Sequence, residues 1–254
     1  PVPQSNSSFL NPPPWGPPRL LLPPPPTLTT TDLLIVGAGL SGLSLALEVL
    51  RRDPTTRLLV LDAAGVGAGA TGHSTGMLTP GVGQDLVGQR RRWGAVRTAE
   101  VYRLSLAAVR GAAALIEREQ LDCQLQLGGQ LITARGPSGR QRVTATAAVL
   151  AELDLPGQLL DDAALAERLR LPAALRAPGE GPAALFLPVA GTLHPLALAK
   201  GLAARVEALG GRLARGRVAR LGEGWVELSD GRRLQAARVA LAAGGLPERL
   251  GVQR

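Results

Sequence analysis

The chain is poor in the side chains that build metal centres and disulfide frameworks. Its 254 residues include one cysteine, Cys123, and two histidines, His73 and His194. A lone cysteine cannot pair within the chain, so a disulfide-stapled secreted domain is excluded. A zinc centre would have almost no ligands to draw on. Aromatics make up only 2% of the residues, which leaves few rings for stacking nucleic-acid bases. Lysine is nearly absent: Lys200 is the sole lysine among 28 basic residues. The net charge of +8 is therefore carried by arginine. The arginines are scattered, apart from Arg90-Arg91-Arg92, and do not form the clustered footprint of a nucleic-acid binder. Asparagine occurs only at Asn6 and Asn11, and isoleucine only at Ile35, Ile116 and Ile132. That bias is what a GC-rich coding sequence produces, and it accounts for the arginine excess without a polyanionic partner.

Unbroken apolar runs are scarce as well. The one stretch that could mimic a membrane span, Leu33 to Leu47, is shorter than the roughly 20 residues a bilayer requires. Asp32 and Glu48 bracket it and glycines interrupt it, so no membrane span is expected. No charged start followed by an apolar stretch marks a signal peptide, and a cytoplasmic location is expected. What is abundant is aliphatic: 45% of the residues are hydrophobic, enough for a packed core. Residues 1–31 read as a disordered proline-rich tail, with Phe9 and Trp15 as its only aromatic anchors.

From Asp32 the rhythm is strand, helix, strand. Leu33-Leu34-Ile35-Val36 has the continuous apolar character of a parallel strand covered on both faces. Leu40 to Arg52 is apolar on nearly every side and reads as a buried helix stopped by Asp53-Pro54. Leu58 to Leu61 is a second buried strand, and a Gly-rich loop runs from Ala63 to about Gly88. A long helix is expected from about Trp93 to Glu119, with Val101, Leu104, Ala108, Ala112 and Leu115 on one face and Glu117 and Glu119 on a solvated surface. Two short strands are expected around Gly128-Gly129, and helices near 138–153 and 161–170. A helix over Pro195–Leu209 follows, with His194 as its cap or a packing residue and Gly210 at its end. The remainder is β-rich: 212–221, Trp225 to Leu228, and Arg238 to Ala242.

Gly37-Ala38-Gly39-Leu40-Ser41-Gly42 is a G-x-G-x-x-G that follows a strand and opens a helix. Gly37 permits the tight turn, Gly39 lets backbone approach a pyrophosphate, and Gly42 lets helix and strand pack closely. Helix N-terminal amides then hold the phosphates. Asp62 ends the second strand, where an acid can accept hydrogen bonds from ribose hydroxyls. These features together predict dinucleotide binding.

A second loop, Gly65 to Pro80, reads GVGAGATGHSTGMLTP, and its Gly/Thr content suits a flavin better than a nicotinamide. Three blocks, DLLIVGAGLSGLSLALEVLRR (32–52), LLVLDAAGVGAGATGHSTGMLTPG (58–81) and GTLHPLALAKGLAARVEALGGRLARGRVARL onward to VALAAGG (191–245), occur in family order. In these blocks the chain resembles the FAD-dependent amino-acid and amine oxidoreductases related to D-amino acid oxidase, in the glycine oxidase, sarcosine oxidase and dimethylglycine dehydrogenase branch.

The resemblance implies an α/β fold: a Rossmann-like FAD-binding domain with a parallel sheet (32–88 and 191–254) and an incomplete α+β substrate domain (89–190). It implies FAD as cofactor, with the amides of Leu40, Ser41 and Gly42 facing the pyrophosphate and Asp62 the adenosine ribose. Ala70, Thr71, Thr75, Gly76 and Met77 would line the pyrophosphate and flavin, with Ala38, Ala63 and Ser74 in the same cofactor-binding set. The Val218 backbone would hold the adenine, and Ala242, Ala243 and Gly244 would close over the cofactor. Asp62 stands where these enzymes more often carry Glu. His73 falls where dimethylglycine-dehydrogenase-like relatives join a histidine covalently to the flavin; the other reading is a polar loop residue near the phosphates.

The implied reaction is hydride transfer from the carbon beside an amine to flavin N5, followed by imine hydrolysis, on a small amino acid or secondary amine. No side-chain nucleophile or paired carboxylate stands out, so the catalytic residues are not assigned. The alternative reading is a non-catalytic FAD-binding fragment or pseudoenzyme. Members of the resembled family continue well past the position of Arg254, so the chain is expected to be a front portion that does not turn over alone. Its exposed apolar surface would then associate with a missing C-terminal segment or a second copy.

Overall fold

A computed structural model describes residues 15–16, 22–25, 30–83, 85–170 and 184–244. The described chain divides into two units. The first comprises 1–76, 118–123 and 194–254, and the second 77–117 and 124–193. Residues 77–88, expected with the first body, belong to the second.

The first unit is built on a six-stranded sheet. Its strands are β1 (Thr30–Val36), β2 (Leu58–Asp62), β8 (Arg212–Arg215), β9 (Val218–Gly222), β10 (Trp225–Leu228) and β11 (Arg233–Leu241), in the order β8-β2-β1-β11-β10-β9. The four strands β8, β2, β1 and β11 run parallel, while β10 and β9 are added antiparallel, so the sheet is mixed rather than wholly parallel. Two helices, α1 (Leu40–Arg52) and α6 (Pro195–Ala208), pack against each other on one face. The opposite face buries Leu34, Val36, Leu59, Leu61, Val226, Leu228 and Leu234. Period-two alternation sends Ile35 and Val60, both fully buried, to the helix side.

α1 begins and ends where the sequence places it, but only one of its faces is buried. Gly42, Leu43, Ala46, Leu47 and Leu50 face the sheet, while Ser41, Ser44, Leu45 and Glu48 are exposed. The leader is also partly ordered, contrary to the disordered tail expected. Leu22 and Pro25 are buried, the Pro23 carbonyl accepts from Arg215 N–H of edge strand β8 at 2.7 Å, and the Pro25 carbonyl accepts from Arg232 Nη1 at 3.2 Å. Proline suits a segment lying along a sheet edge, since it has no N–H to leave unsatisfied and blocks further strand addition. Phe9 and the remaining tail residues other than 15–16 and 30–31 lie outside the described residues.

The second unit holds an antiparallel sheet β4-β6-β5, from Gln130–Thr133, Ala184–Leu187 and Gln158–Leu160, and a short pair of β3 (Met77–Leu78) with β7 (Gly191–Thr192). Only one of the two strands expected around Gly128-Gly129 forms; Gln126 makes an isolated bridge to Thr192 instead. Its helices are α3 (Leu86–Arg118, running into the first unit at its end), α4 (Gly136–Glu152) and α5 (Asp162–Leu169). α3 starts earlier than Trp93 and breaks at Gly94, which takes φ +79°.

The buried face of α3 is Thr98, Ala99, Tyr102, Ser105, Leu106, Val109 and Ile116. The stripe through Leu104 and Ala108 is not the buried one: Leu104 is 71% exposed and Ala108 is exposed. Apolar counting missed the true face because it carries hydroxyls. Thr98 Oγ1 donates to the Gly94 carbonyl at 2.7 Å, and Ser105 Oγ donates to Tyr102 O while accepting from Gly81 N–H. Satisfied hydroxyls are compatible with burial. Among the described residues, no helix is long and apolar enough to cross a membrane.

Candidate dinucleotide site

The Gly-rich turn sits at the carboxyl end of β1, beside the end of β11. β1 leads through α1 to β2 on one side, whereas β11 returns on its other side. Such a switch point opens a crevice at the strand ends, where ligands of open α/β sheets bind. Each of the three glycines has a distinct physical reason to be there. Gly37 has φ +117°, and a Cβ would stand 2.5 Å from the Ala242 carbonyl oxygen. A Cβ on Gly42 would overlap the Gly37 carbonyl, so this glycine sets the approach of helix to strand. Gly39 is different. Its φ of −84° and ψ of −178° suit any residue, and a Cβ would meet only Thr71 Oγ1, at 3.1 Å. Its missing side chain leaves space that the protein itself does not fill.

The first turn of α1 carries no acidic residue, so its positive end is not neutralised from within the helix. Leu43 N–H is the first to find an intrahelical carbonyl, that of Gly39 at 3.0 Å. Leu40 N–H donates to Thr71 Oγ1 at 3.2 Å, and the amides of Ser41 and Gly42 precede the first i→i−4 bond. A cradle with open glycine space and helix-end amides fits a pyrophosphate.

Asp62 closes the turn from β2. One carboxylate oxygen accepts from Ala38 N–H at 2.9 Å, and the other accepts from Ala64 N–H at 2.9 Å and Gly65 N–H at 2.8 Å. Ala38 O in turn accepts from Gly67 N–H, tying the two Gly-rich loops together. Ala63 is half-buried beside this carboxylate. The loop continues into α2 (Ala70–His73), a single turn that presents Thr71 to α1. Ala70, Ser74 and Thr75 are exposed and Gly76 is buried. His73 Nδ1 lies 2.9 Å from the Gly69 carbonyl of its own turn. Met77 opens the second unit, is 53% exposed and pairs with Thr192.

At the far side, Gly216 N–H donates to the Asp62 carbonyl at 2.9 Å and brings the end of β8 to the end of β2. Val218 opens β9 with its side chain buried in the core. Ala242 N–H donates to the Val36 carbonyl at 2.8 Å, which seats Ala242, and Ala243 and Gly244 after it, at the Gly-rich turn. In the first unit, then, the structure brings together 37–42, Asp62, Thr71 and Ala242.

Three features escaped the sequence. Glu119 is not on a solvated surface. Its side chain is 4% exposed and meets Arg51 at 3.0 Å, Arg118 at 3.4 Å and Arg205 at 2.9 Å. Burial alone would raise its pKa, but the hydrogen-bonded guanidiniums of Arg205 and Arg118 and the charge of Arg51 hold the carboxyl below the usual glutamate range. Trp15 is the second: its indole N–H donates to the Ser74 carbonyl at 2.8 Å. The third is a cavity of about 540 Å³ inside the second unit, with Val143 and Leu185 on its apolar wall and Arg135 and Arg142 among its polar groups. Tyr102 also lines it, and burial pushes that phenol's pKa up. His194 acts as the expected cap, its Nδ1 accepting from Ala197 N–H at 3.2 Å. Among the described residues no cluster of His, Cys, Asp and Glu could hold a metal ion.

Solved structures share this fold. Glycine oxidase from Geobacillus kaustophilus superposes with a TM-score of 0.70 at 22% identity, over 87% of this chain and 57% of that one. L-amino acid deaminase from Proteus myxofaciens, in complex with anthranilate, gives 0.69 at 16% identity, over 93% of this chain and 52% of that one. Glycine oxidase from Bacillus cereus gives 0.64 at 18% identity, over 87% and 57%. The chain thus spans little more than half the length of these proteins. No curated protein sequence matches it significantly. A family model described as FAD dependent oxidoreductase (DAO) matches residues 32–252 and decides for a flavin over a nicotinamide. By that match the chain belongs to the DAO family of FAD-dependent oxidoreductases.

Proposed function

We propose that the chain is the FAD-binding part of an oxidoreductase that oxidises the C–N bond of a small amino acid or secondary amine. The observation that carries the reading is the cradle of Gly39 and the first-turn amides of α1 at the β1/β11 crevice, in a chain of a FAD-dependent family. FAD, when bound, supplies the two-electron acceptor for such an oxidation. The residues of this chain bind and orient it. Leu40, Ser41 and Gly42 offer amides to the pyrophosphate, Gly39 leaves room for its approach, and Asp62 faces the ribose. Thr71, Ser74, Thr75 and Gly76 line the loop side, together with His73, Ala70 and Met77. The Val218 backbone takes the adenine edge, and Ala242 to Gly244 close the strand end.

The single cysteine agrees with a reducing compartment, and the proposal places the protein in the cytoplasm. The absorbance spectrum of the purified protein tests the cofactor. Bleaching of bound flavin under anaerobic conditions by a panel of small amino acids and secondary amines tests the reaction. Acid precipitation tests His73 as an attachment point: colour in the pellet requires a covalent bond, and colour left in the supernatant excludes one.

A further inference from the structure

The leader before β1 touches the first unit at the candidate cofactor loop itself. Trp15 Nε1 donates to the Ser74 carbonyl at 2.8 Å, and its ring lies 4.7 Å from that of His194 at an interplanar angle of 41°. Both partners are structural nodes. Ser74 caps α2, and its amide and hydroxyl both donate to the Thr71 carbonyl, at 3.3 and 3.0 Å. Thr71 Oγ1 holds the Leu40 amide at the start of α1. His194 caps α6 through Ala197 N–H. A continuous path of bonds therefore runs from the leader through Ser74 and Thr71 to the first amide of the pyrophosphate cradle.

We propose that Trp15 is a positioning residue for the cofactor, a pin that holds residues 70–76 in the conformation that receives FAD. The inference rests on the FAD reading given above. Trp15 is half-buried, and its single N–H donor is placed on this loop carbonyl rather than on a residue of its own segment. Residues 22–25 touch the first unit independently of Trp15, the Pro23 carbonyl accepting from Arg215 N–H of edge strand β8 and the Pro25 carbonyl from Arg232 Nη1.

The test uses the full chain and two variants: Trp15→Ala, and Trp15→Phe, which keeps a ring against His194 but loses the donor. Hydrogen exchange is measured in cofactor-free protein at the amides of Gly72 and Ser74, whose acceptors are the carbonyls of Gly67 and Thr71. FAD dissociation constants come from flavin-fluorescence titration. Losing one hydrogen bond and one ring contact should speed exchange at these amides, and weaken FAD, on the order of tenfold in Trp15→Ala, with Trp15→Phe in between. Exchange in β1 and β2 and the thermal midpoint should not move. Parental exchange at Gly72 and Ser74 in Trp15→Ala overturns the proposal, and so does faster exchange with unchanged FAD affinity. If the parent protein itself binds no FAD, the cofactor reading fails instead, and the exchange measurement still judges whether Trp15 holds the loop.

Discussion

The glycines of the cradle make a sharp prediction, because the structure assigns Gly39 and Gly42 opposite consequences. In Gly39→Ala the backbone is already in an ordinary extended conformation, with φ −84° and ψ −178°. The new methyl meets only the Thr71 hydroxyl, at 3.1 Å, the end of a rotatable side chain. Disturbing the Leu40–Thr71 bond costs about 0.5–1.5 kcal/mol. Removing a glycine from the unfolded chain returns about 0.4–1 kcal/mol. The cofactor-free variant should therefore match the parent within about 1 kcal/mol in urea denaturation. Its affinity for FAD should fall at least about tenfold, since pushing a phosphate off even one amide forfeits a charge-assisted hydrogen bond of about 1.5–3 kcal/mol. In Gly42→Ala the methyl lands on the Gly37 carbonyl, and the helix must move off the strand. Overpacking of this kind costs about 1–3 kcal/mol, and it should appear in the cofactor-free protein as a lower urea midpoint. A Gly39→Ala protein that binds FAD as tightly as the parent would refute the placement of the pyrophosphate. A Gly42→Ala protein of parental stability would refute the packing argument.

Other residues give further tests. Asp62→Asn keeps one acceptor oxygen but turns an amide nitrogen toward backbone N–H groups, so it should destabilise the cofactor-free protein by about 1–3 kcal/mol in the same assay. Glu119→Gln removes the charge that three arginines converge on; because those guanidiniums remain partly solvated, the loss at neutral pH should be about 1–3 kcal/mol rather than the larger cost of a fully buried pair. The Glu119 carboxyl titrates below its ordinary value of 4.5 in the folded state, so its stabilisation is present above pH 4.5 and is lost as pH falls through the lowered folded value. The gap between parent and Glu119→Gln should accordingly close below pH 4.5 in acid-denaturation curves. Asp32, held at about 2 by hydrogen bonds from Arg57, should add a further loss of stability between pH 3.8 and about 2, absent in Asp32→Asn.

The parts of the fold that the sequence announced are those whose constraints are local. The run Leu33–Val36, the glycine spacing and the stop at Asp53-Pro54 define one strand–turn–helix, and α1 spans Leu40–Arg52 as read. α6 was equally legible, since Pro195 opens its first turn, His194 caps it, and Gly210 follows with φ +88°. What failed were choices between faces. α3 carries Ala, Val and Leu on several sides, and the face that wins includes Tyr102, Ser105 and Thr98, whose burial depends on partners the local pattern does not contain. Glu119 could not be read for the same reason: Arg51 and Arg205 come from helices far away along the chain. Trp15 is the extreme case, because a tryptophan among prolines carries no sequence signal for a carbonyl 59 positions on.

Asp62 shows how a residue can be located correctly and still be only half understood. Its place at the end of the second strand marks it for the ribose, and it stands where the resembled enzymes more often carry glutamate. In the structure the shorter side chain brings the carboxylate back onto the amides of Ala64 and Gly65, two and three residues ahead, and across to Ala38. Aspartate side chains commonly bond the backbone N–H two residues on, as in an Asx turn, and here Asp62 does so. A glutamate would extend one methylene farther and carry its carboxylate away from its own following amides. At this position the aspartate carboxylate therefore fixes the turn as well as standing where the ribose would be met. The ordering of both Gly-rich loops then comes from the protein itself, and binding a dinucleotide need not supply it.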